Sequence, residues 1–534
     1  MKRISALSML ASFALLRPDV ALAQMTCSSL TSLSLPNTTI QSAATVPAGP
    51  FVPPPGPAGA PPQPTVPISS SFCRVKATSS PAAGSSIAFE VWLPAAWNQK
   101  LMGIGNSGAN GEISFTLTDA SLAAAVNHGY AAVGTDSGHT SSPVSGTWAV
   151  GAPAKIVDNA TRSITEVTAR AKQIVNAFYG SNASRNYFYG CSMGGRQGLM
   201  QAQRDPTLYD GIISGAPVID LANLTAAGAF QAQQLSGPGS FPASKLPAIA
   251  ASVRAECDAV DGLVDGLIDD PRNCDWDPHT IQCPTGTDTN SCLTQAQANA
   301  LDQLYKGARR ADNNQQIYAG LERGGEDGFG PLGWSSAVTG PPAGAPAGTP
   351  SVSLLLSSAY IGNVAFQNPN PFVKTFTFNF STDLDFVIGQ LTNTYMYNAN
   401  NPDLNAFRNR GGKVLMYHGW SDPVVPPMGS VDYRKAVVQT IGQQQTNDTL
   451  RLFMAPGMEH CIGGTGPFLF DAYTVLEAWV EQGIAPERIV AAQVNLTNGQ
   501  LIRTRPLCRY PNVARYNGTG NVNSAASFTC QEPD

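Results

Sequence analysis

Short apolar runs that end in Gly, Asn or Asp alternate with helical segments along much of the chain. The runs have the length and content of buried β-strands, and they lie at residues 88–93, 101–105, 130–135, 187–189, 211–215, 414–417 and 451–454. Apolar residues at helical spacing predict helices at residues 164–179, 194–204 and 472–482. This alternation favours an α/β fold with a mostly parallel sheet that is covered on both faces.

A long interval separates the fifth and sixth predicted strands. It is too long for a loop, and it contains helices, cysteines and a Gly/Pro-rich stretch, residues 340–350. We therefore predict that residues 218–410 form a lid domain inserted in the sheet domain. The two parts of the sheet domain are then residues 24–217 and 411–534.

The first 23 residues have the three parts of a secretory signal peptide. Lys2 and Arg3 precede an apolar run, residues 4–16, and residues 21–23 have the small-x-small form of a cleavage site. The apolar run is too short to remain as a membrane anchor. We therefore predict that residues 1–23 are removed and that the mature protein is secreted or periplasmic, without a membrane partner.

The composition agrees with an exported protein. Ten cysteines predict disulfide bonds, because the compartments to which proteins are exported do not keep thiols reduced. The net charge of −5 and the scattered basic residues argue against a nucleic-acid partner. Residues 46–67, rich in Pro, Ala and Gly, are predicted to be an irregular surface loop.

A candidate nucleophile lies between a predicted strand and a predicted helix. Residues 190–194 are Gly-Cys-Ser-Met-Gly and match the motif Gly-x-Ser-x-Gly. In α/β-hydrolases this serine occupies a strained strand-to-helix turn, and the N–H of the next residue helps to bind the oxyanion. A serine between glycines can also be an ordinary turn, but the flanking strand and helix favour Ser192 as nucleophile and Met193 as oxyanion donor.

Chain order selects a candidate base. In α/β-hydrolases the order is Ser, then Asp or Glu, then His. Of the five histidines, His460 alone follows both the nucleophile motif and a later aspartate-bearing strand end, whereas His418 precedes the candidate acid. The alternative interpretation of His460 is a hydrogen-bonded histidine of a surface loop.

The candidate acid is Asp422, which follows a predicted strand and precedes His460. A carboxylate there can hold the imidazole tautomer and stabilise the imidazolium that forms during acyl transfer. Asp422 also precedes a proline, as turn aspartates often do. Asp432 and Asp448 are less well placed, since each lies beyond the turn that leaves the strand.

Two cysteines flank the candidate nucleophile and base. Cys191 directly precedes Ser192, and Cys461 directly follows His460. If Ser192 and His460 meet, their neighbours come within disulfide range, about 4.4 to 6.8 Å between Cα atoms. We therefore predict a bond between Cys191 and Cys461.

The second oxyanion donor is predicted in a glycine-rich stretch after an early strand. Residues 103–108 are Gly-Ile-Gly-Asn-Ser-Gly. By the usual position of this donor, Gly108 or its neighbour Ser107 supplies the N–H. A tight turn would use the same glycines.

An acidic loop in the predicted insert is a candidate calcium site. Calcium prefers six to eight oxygen ligands, which a glycine-bent acidic loop can supply. The candidate ligands are the side chains of Asp258, Asp261 and Asp265 and the carbonyls of Leu263 and Leu267. Two solvated Asp-Gly turns are an equal alternative, and the pattern is not an EF-hand. A bound Ca²⁺ would be structural.

Three motifs together resemble one family. Residues 190–196 are Gly-Cys-Ser-x-Gly-Gly-Arg, residues 418–422 are His-Gly-Trp-Ser-Asp, and residues 456–461 are Pro-Gly-Met-x-His-Cys. Over nearly the whole mature chain, this resembles the tannase and feruloyl esterase family, which also includes mono(2-hydroxyethyl) terephthalate hydrolases. The resemblance implies an α/β-hydrolase fold with a lid, and the same nucleophile, acid and base.

The resemblance also implies the calcium site in the lid and the remaining disulfides. These are Cys27 with Cys73, Cys257 with Cys274, Cys283 with Cys292, and Cys508 with Cys530. The family's usual Gly-Asn-Gly-Gly stretch is Gly-Asn-Ser-Gly here, at residues 105–108, which leaves the second oxyanion donor open.

The resemblance implies small esters of aromatic acids as substrates. Terephthalate-ester hydrolases of the family are expected to offer an arginine and a serine to the distal carboxylate. The comparable stretch here, residues 374–379, offers Lys374 and Asn379 instead. Lysine holds a carboxylate only as a point charge. A phenolic-acid esterase is therefore preferred, with terephthalate monoester hydrolysis as the alternative.

Two further classes of protein compete with this interpretation. A calcium-stabilised binding protein on an inactive hydrolase scaffold would keep the disulfides but lose a triad member, and all three are present. A serine peptidase would share the triad and differ in its leaving group. The sequence leaves the oligomeric state open.

Overall fold

The computed structural model describes residues 25–109, 111–328, 330, 332–340 and 348–533. The predicted signal peptide lies outside these residues. The strands are β1 (Thr38–Val46), β2 (Gly49–Phe51), β3 (Val66–Ile68), β4 (Phe72–Ser79), β5 (Ile87–Pro94), β6 (Lys100–Ile104), β7 (Ala131–Thr135), β8 (Arg185–Cys191), β9 (Gly211–Gly215), β10 (Lys413–Gly419), β11 (Leu450–Ala455), β12 (Arg488–Val494), β13 (Leu501–Cys508), β14 (Val513–Tyr516) and β15 (Phe528–Gln531).

The helices of the described residues vary from four to seventeen residues. They are α1 (Leu122–Asn127), α2 (Pro153–Val157), α3 (Ser163–Tyr179), α4 (Met193–Arg204), α5 (Leu221–Gln234), α6 (Leu246–Cys257), α7 (Gln295–Lys306), α8 (Trp334–Ala337), α9 (Val352–Ser358), α10 (Pro371–Phe376), α11 (Thr382–Ile388), α12 (Asn405–Asn409), α13 (Met428–Ile441), α14 (Gln443–Thr449) and α15 (Ala472–Gln482). None of them has the length and hydropathy that crossing a membrane requires.

Nine strands form one sheet in the order β1-β4-β5-β7-β6-β8-β9-β10-β11. The six strands from β7 to β11 in this order are parallel, and β1, β4 and β5 add an antiparallel edge. The prediction of a mostly parallel sheet is confirmed, and the seven predicted strands are β5 to β11. The antiparallel edge and the C-terminal ribbons β12–β13 and β14–β15 were not predicted.

Helices cover both faces of the sheet, as the alternating pattern predicts. On one face, Ile174 of α3 packs with Leu101 of β6 in a common apolar cluster. On the other face, Trp479 of α15 packs with Leu415 of β10. Because a parallel sheet is buried on both faces, the loops at the carboxyl ends of its strands remain free to carry functional side chains.

The long insertion joins two neighbouring strands of the sheet. Strands β9 and β10 pair directly, with Gly211 opposite Lys413, and helices α5 to α12 lie between them in sequence. The core of the insertion contains the buried Trp276 and Trp334 and is continuous with Met193 at the start of α4. The insertion therefore packs onto the element that follows the candidate nucleophile.

The disulfides agree with the predicted pairs, whereas the early loop differs in part. All ten cysteines are bonded, in the pairs Cys27–Cys73, Cys191–Cys461, Cys257–Cys274, Cys283–Cys292 and Cys508–Cys530. Residues 46–67, predicted to be irregular, contain the end of β1 and the short paired strands β2 and β3. Three-residue strands leave too little apolar alternation to be recognised from sequence.

Candidate active site

Ser192 occupies a strained turn between β8 and α4. Its backbone has φ 63° and ψ −124°, a conformation that residues with a Cβ rarely adopt. A Cβ at Gly190 would lie 2.4 Å from the carbonyl carbon of Gly194, and a Cβ at Gly194 would lie 2.8 Å from the carbonyl oxygen of Asn106. The motif glycines are therefore required by close backbone packing, and the turn presents Ser192 at the carboxyl end of β8.

His460 and Asp422 form a buried hydrogen-bonded pair. The imidazole Nδ1 lies 2.7 Å from Asp422 Oδ2, and both side chains are almost completely buried. Because its neighbour is a carboxylate acceptor, Nδ1 carries the proton and leaves Nε2 free as a base. The Ser192 hydroxyl makes no hydrogen bond to His460 among the described contacts, and such bonds are often long until substrate binds.

The Asp422 carboxylate accepts three hydrogen bonds besides the His460 contact. Its Oδ1 accepts the N–H groups of Val424 and Val425, both at 2.9 Å, and its Oδ2 accepts from His418 Nε2 at 3.2 Å. The same Nε2 also donates to the carbonyl of Val425 at 2.9 Å. Burial alone would raise the pKa of Asp422, but the charges and hydrogen bonds of His460 and His418 hold that pKa well below its usual range. Asp422 is therefore an ionised carboxylate.

His418 is a residue of the site that sequence reasoning set aside. Its chain position excludes it as the base, yet its ring reaches Asp422, and Ser430 Oγ lies 2.7 Å from its Nδ1. The signal that could have identified it is the spacing of four residues to Asp422 within one motif. The carboxylate thus lies between two imidazoles, one of them fixed by Ser430.

The Cys191–Cys461 bond ties the nucleophile turn to the base loop. Its Cα atoms are 6.1 Å apart, within the ordinary disulfide range, although 270 residues separate the two cysteines in sequence. Cys461 has a φ of 65°, an uncommon conformation for a residue with a Cβ. The bond holds two loops of different strands at one end of the sheet.

Both predicted oxyanion donors lie beside the nucleophile. Gly108, Met193 and Ser192 line one cavity. Met193 is the first residue of α4, so its N–H has no partner within the helix. Gly108 has a φ of 59°, and a Cβ there would lie 2.2 Å from the carbonyl oxygen of Pro143. The structure thus brings together one candidate N–H from the helix and one from the loop after β6.

The cavity at Ser192 lies between the sheet domain and the insertion. Its apolar wall includes Leu224, Phe230, Leu304, Leu356, Tyr360 and Val424. Its polar side chains, apart from Ser192, are Thr225, Gln231, Ser353 and Ser357, and no described residue that lines it carries a charge. Sequence reasoning missed these residues, because nothing in an apolar helix tells which side chain faces a ligand. The cavity suits a neutral apolar group with a few hydroxyls.

Lys374 and Asn379 are not part of this cavity. Lys374 pairs with Asp383 at 2.8 Å and lies over the ring of Phe366. Asn379 accepts the N–H groups of Ser381 and Thr382 at the start of α11. The comparable stretch therefore caps and braces lid helices, and neither side chain lines the cavity at Ser192. Contact of Lys374 and Asn379 with a substrate stays a prediction.

The acidic loop forms hydrogen bonds and ion pairs of its own. Asp258 Oδ1 accepts the N–H groups of Asp265 and Gly266 at 3.2 and 3.0 Å, and Asp261 accepts that of Leu263 at 2.9 Å. Asp265 is paired with Arg505. The described residues contain no group of three or more His, Cys, Asp or Glu side chains positioned to hold a metal ion.

Carboxylates are nevertheless crowded at this loop. Burial, and after it the charges of Asp261 and Asp265, raise the pKa of Asp269 to about 8. The loop is closed by the Cys257–Cys274 bond. Its donor set of carboxylates and backbone carbonyls has the chemistry that Ca²⁺ prefers, but Asp265 would have to exchange its Arg505 partner to become a ligand.

The sheet, the strained turn and the His–Asp pair define an α/β-hydrolase with a nucleophile elbow. The profile of the family described as tannase and feruloyl esterase matches residues 73–531. The chain therefore belongs to the tannase and feruloyl esterase family, and it is a carboxylic ester hydrolase. The resemblance of the three motifs is confirmed.

Two relatives and one solved structure illustrate this membership. An esterase of Xanthomonas campestris is 36% identical over 96% of this chain and 92% of its own length. Mono(2-hydroxyethyl) terephthalate hydrolase of Piscinibacter sakaiensis is 33% identical over 84% of this chain and 82% of its own. The crystal structure of feruloyl esterase B from Aspergillus oryzae has a TM-score of 0.82 and 26% identity, covering 95% of this chain and 99% of that one.

Proposed function

We propose that this enzyme hydrolyses carboxylic esters of neutral, phenolic aromatic acids, as a feruloyl esterase or tannase does. The observation that carries the proposal is the apolar cavity at Ser192, whose described lining has aromatic and hydroxyl side chains but no charge. A phenolic ring can pack against Phe230 and Tyr360 and place its hydroxyls near Gln231 or Thr225. Because burying an unpaired carboxylate is costly, a ring that bears one is disfavoured there.

The proposed mechanism is acyl transfer through Ser192. His460 Nε2 takes the hydroxyl proton while Ser192 attacks the ester carbonyl, and Asp422 stabilises the imidazolium that forms. The N–H groups of Met193 and Gly108 receive the developing oxyanion. His460 then protonates the leaving alcohol, and water, activated by the same imidazole, releases the acid. The 2.7 Å His460–Asp422 contact and the free first N–H of α4 support these roles.

The second candidate is hydrolysis of the terephthalate monoester. It is favoured by the 33% identity to the hydrolase of Piscinibacter sakaiensis. The cavity argues against it, because Lys374 is paired with Asp383 and lies outside the lining.

A substrate panel decides between the two candidates. Methyl ferulate, methyl gallate and mono(2-hydroxyethyl) terephthalate are compared by kcat/KM under one set of conditions. We expect at least one of the phenolic esters to exceed the terephthalate monoester by tenfold or more. A higher kcat/KM for the monoester would overturn the proposal in favour of the second candidate. Casein, which a peptidase would cleave, serves as the amide control.

We also propose that the mature protein works outside the cytoplasm, in the periplasm or medium. The five disulfide bonds support this location, because they persist in oxidising compartments. The pattern of residues 1–23 supports export. N-terminal sequencing of the secreted protein tests it, and a chain that still begins at Met1 would contradict the proposal.

We further propose that the acidic loop binds a structural Ca²⁺. The candidate ligands are Asp258, Asp261 and Asp265 with the carbonyls of Leu263 and Leu267. Their oxygen chemistry and the crowding of carboxylates support it. The ion would brace the lid and take no part in acyl transfer.

A further inference from the structure

Glu459, the residue before His460, has a buried carboxyl group that pairs with no residue in the part of the chain that the structure describes. Its exposed fraction is 0%, and neither Oε1 nor Oε2 makes a hydrogen bond to any described residue. Buried polar groups are normally paired, and each unpaired one carries a desolvation cost. The mechanism proposed above does not use this side chain, so its position requires another explanation.

The carboxyl group lies in a slot formed by three glycines of the insertion. A Cβ at Gly328 would lie 2.2 Å from Glu459 Oε1, a Cβ at Gly330 would lie 2.7 Å from Oε2, and a Cβ at Gly333 would lie 2.5 Å from Oε1. No larger residue could occupy any of the three positions without a shift, since real Cβ contacts are longer. The Glu459 side chain is therefore one of the points at which the base loop packs against the insertion, and we name the three glycines the glycine slot.

The charges around the slot are mostly negative. Asp422 faces Glu459 from the end of β10, and Asp327 faces it from the lid, where Asp327 is paired with Arg254 at 2.7 Å. Glu326, on the same lid segment, accepts a hydrogen bond from Tyr305. Burial, and after it the charges of Asp422 and Asp327, raise the pKa of Glu459 to about 8.

We infer that Glu459 is a positioning residue, which in its uncharged form seats the base loop in the glycine slot of the lid and so holds His460 toward Ser192. An ionised carboxyl would be forced out of a slot in which the described residues give it no hydrogen-bond donor. The next residue, His460, would then lose the position that the Asp422 hydrogen bond requires. The packing of the base loop on the lid thus depends on whether the Glu459 carboxyl group is protonated.

The contribution of Glu459 to the free energy of unfolding depends on pH, because its pKa differs between the folded and the unfolded chain. In the unfolded chain a glutamate has a pKa of about 4.3. Because the folded pKa is higher, the folded state binds the proton more tightly. The contribution of Glu459 to stability is therefore fully present below about pH 4.3 and is lost as pH rises through about 8. Replacing Glu459 with glutamine, which stays neutral, removes this loss.

The first test compares melting temperatures of wild type and Glu459→Gln at pH 5, 7 and 9. We expect the variant to gain stability relative to wild type from pH 5 to pH 9. A difference that stays constant across this range would overturn the inference. This measurement needs no substrate, so it stands even if the proposed substrate class is wrong.

The second test is the pH dependence of kcat, and it rests on the proposed esterase activity. From a pKa of about 8, wild-type kcat should fall about tenfold between pH 7 and pH 9, whereas kcat of Glu459→Gln should be lower but flat. Glu322→Gln is the matched control, because burial also raises the pKa of Glu322 to about 7, beside Arg323 and away from the slot. An alkaline loss in Glu459→Gln equal to that of wild type would refute the positioning role.

The third test is a double-mutant cycle across the slot. Gly333 has φ −76° and ψ 178°, which any residue adopts, so Gly333→Ala introduces only a clash with Glu459. We expect Gly333→Ala to lower kcat at least threefold in wild type and to have little effect in Glu459→Ala, which clears the slot. Equal effects in both backgrounds would show that the glycine slot and Glu459 are independent.

Discussion

The two walls of the active-site cavity are built in different ways. On the sheet side, Ser192, Asp422 and His460 each follow a parallel strand by a few residues, and each belongs to a short motif. On the lid side, Phe230 and Tyr360 come from segments more than a hundred residues apart, and no motif marks them. Short sequence motifs therefore mark the candidate catalytic residues at the strand ends, whereas the shape of the cavity arises only from the packing of distant segments.

We expect the two walls to control different properties, the reaction rate and the preference between esters. In the proposed mechanism, the sheet wall supplies the groups that act on the reacting atoms, and their loss should affect every ester. The lid wall supplies contact area and exclusion of water, so a change there should alter the choice between esters more than the rate of the preferred one. Substitutions in each wall test this difference.

The largest effect is expected for Ser192→Ala. Its hydroxyl is the proposed acyl acceptor, and removal of a triad nucleophile lowers kcat by roughly 10⁶-fold. The rate of ester hydrolysis checks this, and the circular dichroism spectrum should remain that of wild type. Residual activity within tenfold of wild type would exclude Ser192 as the nucleophile.

The next effect is expected for Asp422→Asn. The amide can present its N–H₂ to His460 and favour the wrong tautomer, which lowers kcat by about 10⁴-fold in a comparable triad. His460→Ala should cost more, nearly as much as Ser192→Ala, and the combined variants should not be additive. If Asp422→Asn retained most of the wild-type kcat, Asp422 would not be the triad acid.

The sequence predicted the sheet wall well for a physical reason. Parallel strands are continuous apolar runs, and the glycines beside Ser192 are required by close packing, of Gly190 against Gly194 and of Gly194 against the backbone after β6, so both leave a local mark. The edge strand β1 does not, because its burial alternates poorly along polar residues. Chain order could identify His460, but it could not reveal that His418 reaches the same carboxylate.

The lid residues that line the cavity could not be predicted, because the lid helices are apolar on more than one side. The core of the insertion buries Trp276 and Trp334, while Leu224 and Leu356 face the cavity instead, and composition does not distinguish the two fates. Lys374 is an example. The sequence shows its positive charge, but only the folded chain shows that Lys374 pairs with Asp383 outside the cavity lining. Only the assembled helices decide which side chains reach Ser192.

A smaller effect is expected when the Cys191–Cys461 bond is removed. Hydrogen bonds alone would let the nucleophile turn and base loop drift, and misplacement by about 1 Å can cost about 10²-fold in rate. Replacing both cysteines with serine should therefore lower kcat about that much, with secondary structure kept. The Cys283–Cys292 pair, which closes a nine-residue separation in the lid, is the control and should leave kcat near wild type.

On the lid wall, Gln231→Arg should change specificity. The variant places a guanidinium in the cavity, which can pair with the carboxylate of a terephthalate monoester. We expect the ratio of kcat/KM for the monoester to that for methyl ferulate to rise about tenfold, or about 1.4 kcal/mol. Gln234→Arg, on the same helix but outside the lining, should leave the ratio unchanged. An equal rise in both variants would mean that net charge, and not the cavity, sets the preference.

The smallest effect is expected from chelation of Ca²⁺. Chelation should lower the stability of the lid and leave the catalytic groups of the sheet wall unaffected. The proposed ligands lie in the insertion, and Arg503 of β13 donates to the backbone carbonyl of Asp265 at 3.1 Å, so an ion there braces the lid against the C-terminal ribbon. An ion that binds only the folded state at about a hundred times its Kd contributes about 2.7 kcal/mol, which is a few degrees in a protein of this size. Excess chelator should therefore lower the melting temperature by about 2 to 3 °C while kcat of the still-folded enzyme stays constant. Asp258→Asn should abolish the response to chelator. An unchanged melting curve, with no calcium found by elemental analysis, would mean that the acidic loop is held by its own hydrogen bonds and ion pairs alone.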